Sequence, residues 1–120
     1  MKKALFTFLI FFYCSEFYSQ IYIQSYALDI GHWNNYYREW DWEPTKKCNI
    51  LFTLQGDIIL SNDKANSTYY TYENIDKDSW KALDEKRREC IISMIYNEPN
   101  YNFLIVIYND LCYRYIYSAK

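Results

Sequence analysis

The chain has 120 residues, with 13 Lys and Arg side chains against 15 Asp and Glu and a formal net charge of −2. This acidic balance argues against nucleic acid as a partner, because a surface that binds a polyanion needs an excess of basic side chains. Aromatic residues make up 22% of the sequence, and 15 of its residues are tyrosines. Tyrosine is typical of half-buried faces and contact surfaces, since its ring packs while its hydroxyl stays in water.

Residues 1–19 have the pattern of a secretory signal peptide. Lys2 and Lys3 precede an uncharged apolar run over residues 4–13, and small and polar residues follow. An apolar run of about ten residues is half of the roughly twenty that a membrane-spanning helix needs. We therefore expect removal of residues 1–19, a secreted or periplasmic protein, and no stable membrane insertion after removal.

Three alternatives to a cleaved signal remain open: a retained membrane anchor, a lipid on Cys14, and an ordinary buried N-terminal strand or helix. Tyr13 weakens the second, since lipoprotein processing prefers a small residue before the cysteine. Loss of residues 1–19 removes two lysines and one glutamate, which takes the formal charge from −2 to −3. Residues 20–120 contain no repeat and no Pro- or Gly-rich linker, so we expect them to form one domain.

The clearest strand pattern lies in residues 48–55. Every second side chain from Cys48 to Leu54 is apolar, whereas the side chains between them are mostly polar. This alternation predicts a strand with one buried face. The Gly56-Asp57 pair that follows predicts a two-residue hairpin turn, because glycine accepts the backbone conformation that such turns need.

Strand-like runs fill much of the remaining chain. They are residues 21–29, 36–42, 58–61, 67–73, 90–96, 101–108 and 111–117. The last three are separated by short turn segments and predict a three-stranded antiparallel meander. Residues 79–88 suit either a short helix or a hairpin, and we favour the hairpin because a strand follows at once. The predicted fold is mostly β, a single antiparallel sheet that is curled or closed into a small barrel, lipocalin-like at most, with at most one short helix.

The turn lengths also predict a register for the meander. If Tyr96 pairs with Tyr101, Cys90 lies opposite Ile107, and the next turn places Ile107 opposite Cys112. Two strand spacings, about 9.6 Å, then separate the cysteines, beyond the roughly 7 Å that a disulfide can bridge. We therefore expect no bridge between Cys90 and Cys112. The alternatives are three buried thiols or one bridge that involves Cys48. Neither face of this meander is polar, so the sheet must be covered twice or curl into a barrel, or else it offers a tyrosine-lined surface to a partner.

The densest aromatic segment follows Gly31 and is the candidate site for a ligand or partner. Its residues are Trp33, Tyr36, Tyr37, Arg38, Trp40 and Trp42, with Asn34 and Asn35 among them. Flat rings with interleaved amides suit stacking and hydrogen bonding to a protein or a carbohydrate. The structural alternative is a core edge or an aromatic lid over a barrel end. Because the segment also carries charged and amide side chains that are costly to bury unpaired, we expect it to keep a polar edge in water.

Residue patterns for catalysis or metal binding are absent from the sequence. His32 is the single histidine, so no histidine pair can hold zinc, and no phosphate-binding glycine loop or nucleophile motif occurs. The carboxylate pairs Asp41/Glu43 and Asp84/Glu85 are more typical of solvated turns than of a hydrolytic acid and base. We therefore predict no catalytic residues, no metal and no cofactor.

The Lys-Lys start, the phenylalanine-rich apolar run and the Tyr-Ser-Gln end resemble signal peptides of small exported proteins from AT-rich Gram-negative bacteria. Residues 79–90 and 104–110 resemble segments of uncharacterised members of such groups, which belong to no named family of known activity. We predict a small secreted or periplasmic binding or interaction module whose partner is an unknown protein or carbohydrate. The alternatives are an inhibitor or immunity-type protein that blocks a partner enzyme, and a small hydrolase.

Overall fold

The computed structural model describes residues 20–96 and 101–118, which form ten β-strands. In chain order the strands are β1 (Ile21–Asn34), β2 (Glu39–Trp42), β3 (Lys46–Lys47), β4 (Leu51–Gln55), β5 (Ile58–Ser61), β6 (Thr68–Asp76), β7 (Ser79–Asp84), β8 (Glu89–Ile95), β9 (Tyr101–Ile107) and β10 (Leu111–Ser118). The predicted signal peptide in residues 1–19 and the predicted turn at residues 97–100 lie outside the described residues.

Eight of these strands close into an antiparallel barrel. Neighbours follow the order β10, β9, β8, β7, β6, β5, β4 and β1, and pairing of β1 with β10 completes the circle. Strands β2 and β3 pair only with β1 and lie outside this circle. The prediction of a mostly β, small antiparallel barrel is confirmed. Residues 79–88 form part of the β7–β8 hairpin, as favoured, and the part of the chain that the structure describes contains no helix.

Strand β1 is longer than the sequence predicts, because it runs to Asn34. One of its edges pairs in turn with β4, β3 and β2, while the other pairs with β10. A bulge between Ser25 and Ala27 shifts the alternation of side chains along the strand. Ile23 points into the barrel before the bulge and Leu28 packs against the core after it. An inserted residue of this kind interrupts the two-residue alternation of side chains, so the alternation does not reveal the full length of the strand.

The barrel interior is filled by apolar side chains. The predicted inner face of residues 48–55 is confirmed, since Phe52 is fully buried and Cys48, Ile50 and Leu54 pack against the core. Phe52 meets Tyr115 of β10 edge to face, with ring centroids 4.7 Å apart. The interior is therefore a packed core and not an open channel.

The predicted register of β8 against β9 is wrong by one residue. Ile107 lies opposite Ile91 and not opposite Cys90. Because side chains alternate across a strand, this shift places Cys90 and Ile92 in the barrel interior together with Val106. The prediction used turn length alone, whereas burial of Ile92 against Val106 decides the register.

The three cysteines of the described residues, Cys48, Cys90 and Cys112, are free. Cys112 lies opposite Ile107, as predicted. Cys90 belongs to the buried core, however, while Cys112 alternates with inward-facing tyrosines and so lies on the outside of the barrel wall. Burial raises the pKa of both thiols to about 11, which keeps them protonated and unreactive at neutral pH.

Candidate binding surface

The residues singled out in the aromatic segment lie on one β-hairpin, formed by the end of β1 and by β2. They are Trp33, Tyr36, Tyr37, Arg38, Trp40 and Trp42. Trp33 pairs with Trp40 and Gly31 with Trp42 across the two strands. Since β2 pairs only with β1, the β2 side of the hairpin stands outside the eight barrel strands.

The turn of this hairpin is built around Asn34. Its Oδ1 atom accepts hydrogen bonds from the backbone N–H groups of Tyr36, at 3.0 Å, and Tyr37, at 3.1 Å. Its carbonyl accepts a third from Arg38 N at 2.7 Å, and Arg38 has a positive φ of 58°. The fixed turn presents Tyr36 and Tyr37 at the tip, where they are 85% and 67% exposed.

Three tryptophans form a row along one face of the hairpin. The ring centroids of Trp33 and Trp40 are 5.3 Å apart in an edge-to-face contact, and those of Trp40 and Trp42 are 6.3 Å apart. Trp40 and Trp42 thus share a face, as predicted for a strand. Trp33 is 37% exposed and Trp42 is 40% exposed, while Trp40 between them is half-buried. The segment is therefore neither wholly core nor a lid over the barrel.

The row continues onto the outer wall of the barrel through Arg114. The guanidinium carbon of Arg114 lies 4.0 Å from the ring centroid of Trp42 and 5.1 Å from that of Phe103. Phe103 in turn contacts Tyr101 edge to face, with a centroid distance of 5.4 Å. We call this set the aromatic row: Trp33, Trp40, Trp42, Arg114, Phe103 and Tyr101. Sequence reasoning missed its second half, because only barrel closure brings β9 and β10 beside β1.

A buried carboxylate holds Arg114 in place. Asp29 on β1 lies directly across from Arg114 on β10 and is almost fully buried. Its Oδ2 atom accepts hydrogen bonds from Arg114 Nε at 3.0 Å and from Nη2 at 2.8 Å, and its Oδ1 atom accepts one from Thr45 Oγ1. The guanidinium is therefore neutralised and fixed in orientation before any partner arrives.

Gly31 lets Trp42 lie against β1. A Cβ atom at position 31 would lie 2.9 Å from two carbons of the Trp42 ring. This is closer than side-chain atoms approach, so only glycine leaves room for the ring at this position. The glycine that precedes the aromatic segment thus determines where the tryptophan row meets the barrel.

Within residues 20–96 and 101–118, no strand pairs with the outer edge of β2, whose backbone groups are thus unpaired there. Glu43 N donates a hydrogen bond to Ile30 O at 2.8 Å, so Ile30 and Glu43 are one of the residue pairs that hydrogen-bond across the hairpin. In an antiparallel pair every second residue bonds to the neighbouring strand. Trp40 and Trp42 lie between the bonding residues of β2, so their N–H and C=O groups point away from β1.

The opposite face of β2 is acidic. Glu39 and Asp41 are exposed there, and Glu43 continues the same alternation. Glu43 lies 2.6 Å from His32 Nε2 and 3.5 Å from Lys46 Nζ. The hydrogen bond with His32, aided by Lys46, lowers the pKa of Glu43 below its ordinary value. His32 and the Asp41/Glu43 pair thus belong to a charged strand face.

Comparison with known proteins identifies no relative for this barrel. No protein family model matches the chain, and no curated protein or solved structure shows significant similarity to it. Within residues 20–96 and 101–118, no helix is long and apolar enough to cross a membrane. The same residues contain no cluster of three or more side chains suited to hold a metal ion. The fold and the surface define a small antiparallel β-barrel with an exposed aromatic hairpin.

Proposed function

We propose that this protein is a secreted or periplasmic interaction module that binds an extended segment of a partner protein along the outer edge of β2. The unpaired backbone groups of Trp40 and Trp42 carry this proposal, because an added strand needs such an edge. The aromatic row beside that edge provides the contact area that a short edge lacks, since aromatic side chains dominate the binding energy of many interfaces.

The two faces of β2 define the sequence that such a partner should have. Side chains of an added strand alternate between the two faces of the sheet. Those beside Trp40 and Trp42 should be apolar or aromatic, and those beside Glu39 and Asp41 should be Lys or Arg. Two copies of β2 fit each other poorly, because their carboxylates would lie side by side.

The hydrogen bonds of the hairpin favour a protein partner over a carbohydrate. Asn34 uses its side chain to fix the turn and to donate to Asp41 Oδ2 at 3.0 Å. Asn35 Oδ1 accepts a hydrogen bond from Trp33 Nε1 at 2.9 Å. The amides that would recognise sugar hydroxyls are thus engaged within the hairpin, whereas the backbone edge of β2 remains open.

A blocking function is the second candidate, and the hairpin tip supports it. Tyr36 and Tyr37 project from a turn that three hydrogen bonds to Asn34 hold in place. A fixed, projecting aromatic tip suits insertion into the cleft of a partner enzyme, because little conformational entropy is lost on binding. The hydrolase alternative gains no comparable support, since Asp41 and Glu43 are engaged in hydrogen bonds on the strand face.

The proposal is tested with a fluorescent peptide that alternates lysine and valine. We expect saturable binding, seen as a rise in fluorescence anisotropy, and a loss of about tenfold or more in affinity for Trp40→Ala. Tyr70→Ala is the matched control, because Tyr70 is an exposed aromatic residue on β6, away from the hairpin. Its affinity should equal that of the unaltered protein.

A second peptide separates strand pairing from charge attraction. It carries the same side chains but a methyl group on every second backbone nitrogen, placed to remove the donors that would face β2. We expect this peptide not to bind. Equal binding of both peptides, or equal binding by Trp40→Ala, would show that charge alone attracts the peptide and that the edge of β2 is not the docking site.

A further inference from the structure

A cavity lies at the end of the barrel that carries the β5–β6, β7–β8 and β9–β10 turns. Its volume is about 230 Å³. Four tyrosines and two carboxylates are part of its lining: Tyr69, Tyr108, Tyr113, Tyr115, Asp63 and Glu85. We call this cavity the tyrosine mouth. It takes no part in the proposed strand pairing at β2, so the two can be tested separately.

Two phenol groups in the tyrosine mouth have no hydrogen-bond partner among residues 20–96 and 101–118. Tyr69 and Tyr115 are each only 6% exposed. Among the described residues, no hydrogen bond to either hydroxyl is found, yet no fully buried polar side-chain atom there lacks a partner. Both hydroxyls are therefore not sealed from solvent, and both tyrosines line the cavity. Polar groups this deeply buried are normally satisfied, so their arrangement indicates a ligand with hydrogen-bonding atoms.

The electrostatics of the tyrosine mouth favour a positive ligand. Burial first, and then the charge of Asp63, raises the pKa of Tyr69. Burial, together with Tyr69 and Asp63, also raises the pKa of Tyr115. The phenols are therefore neutral at pH 7, and their oxygens can accept hydrogen bonds in a region of negative potential.

Arg88, the arginine in the lining of the tyrosine mouth, does not cancel that potential. Arg88 Nε donates to Asp84 Oδ2 at 2.9 Å, and its backbone N–H donates to Oδ1 at 2.9 Å. Tyr108 OH donates to Asp84 Oδ2 at 2.8 Å. The charge of Arg88 is thus matched within this group. Among the other side chains of the lining, Asp63 and Glu85 are negative and only Lys86, which is exposed, is positive.

The carboxylates are held in position by the turns. Asp63 accepts hydrogen bonds from Ser67 N at 3.0 Å and from Ser67 Oγ at 2.9 Å. Glu85 Oε1 accepts one from Thr68 N at 3.2 Å. Their negative charge is therefore fixed beside the cavity at no further cost in side-chain entropy.

We propose that the tyrosine mouth binds a small protonated organic amine. The ammonium group donates hydrogen bonds to the hydroxyl oxygens of Tyr69 and Tyr115 and is attracted by Asp63. The carbon chain of the ligand packs against the ring of Tyr113. The faces of the tyrosine rings also attract the positive ammonium group. The volume equals that of roughly eight water molecules, which limits the ligand to about eight non-hydrogen atoms.

The test is a titration of the protein with n-butylammonium, followed by the NMR signals of the tyrosine rings. We expect saturable binding with a dissociation constant of roughly 1 mM or above, as ligand size dictates. Neutral n-butanol and anionic n-butyrate, of matched length, should not saturate at about 0.1 M. Saturable binding of either comparator with equal affinity, or no saturation by the amine, would overturn the proposal.

Substitutions of the lining residues test whether the amine binds in the cavity. Asp63→Asn keeps an oxygen that can accept from Ser67 but removes the charge, and Tyr69→Phe removes one acceptor. Each should weaken binding of n-butylammonium by about tenfold. Tyr70→Phe, on the outward face of the same strand, should leave it unchanged. If Asp63→Asn fails to fold, Glu85→Gln replaces it, and unchanged affinity in the folded charge variant would contradict the proposed site.

Discussion

The guanidinium of Arg114 lies 4.0 Å from the centre of the Trp42 ring while its nitrogens bind the Asp29 carboxylate. This contact joins the barrel wall to the aromatic hairpin, because Arg114 belongs to β10 and Trp42 to β2. The position of the exposed tryptophans thus depends on a buried ion pair. Loss of that ion pair should affect both stability and the tryptophan surface.

Arg114→Ala should destabilise the protein by about 3 kcal/mol, because it leaves the buried Asp29 carboxylate without its ionic partner. Urea denaturation measures the change. Lys81→Ala is the control, since Lys81 forms an exposed ion pair with Glu73. It should cost less than about 1 kcal/mol. Equal losses in the two variants would mean that Asp29 does not depend on Arg114.

Gly31→Ala should displace the Trp42 ring and cost about 1 to 3 kcal/mol, because the new methyl group occupies the space of two ring carbons. The same substitution in a Trp42→Ala background should cost much less, since the obstructing ring is gone. A double-mutant cycle based on urea denaturation measures this coupling. Additive costs would contradict direct contact between Gly31 and Trp42.

Acid should weaken the β7–β8 turn through Asp84. Burial alone would raise the pKa of this carboxyl, but hydrogen bonds from Arg88, Tyr108 and Lys86 lower it below the ordinary value of 3.8. The stabilisation is therefore complete above this value and is lost as pH falls through the lower pKa of the folded protein. Asp84→Asn should cost about 2 kcal/mol at pH 7 and less at pH 3 in denaturant titrations. Asp57→Asn, in an exposed turn, should cost clearly less than Asp84→Asn at pH 7.

Alanine substitutions test the register of β8. Ile92→Ala should cost about 2 to 5 kcal/mol, because Ile92 is fully buried against Val106. Ile91→Ala, on the outer and partly exposed face, should cost clearly less. Thermal melts of both variants provide the comparison. A larger loss for Ile91→Ala would restore the register that the turn length suggests.

The three tryptophans of the hairpin should respond differently to truncation. Trp33→Ala should lower stability by about 1 kcal/mol, since this ring is partly exposed and lies beyond the barrel. Trp42→Ala should cost more, because Trp42 packs on Arg114 and Gly31. Trp40→Ala should fall between them. Thermal melts measure all three, and collapse of every variant would return these residues to the core and remove the proposed surface.

The sequence alone identified the features that depend on neighbouring residues. Alternation placed Phe52 and Leu54 on a buried face, Gly56 began a tight turn, and Trp40 and Trp42 shared one face of a strand. Each follows from side-chain periodicity or turn chemistry within a few residues. The mostly β fold follows from the same local patterns repeated along the chain.

Only the tertiary structure decided which distant residues meet. Asp29 and Arg114 are 85 positions apart, and closure of β1 on β10 brings them together. Burial of Ile92 overrode the turn length in β8, and the turns at one end of the barrel gathered Tyr69 and Tyr115 around a cavity. Such pairings depend on how the whole interior packs, and no segment of sequence contains that information, because the free energy of burial belongs to the assembled core.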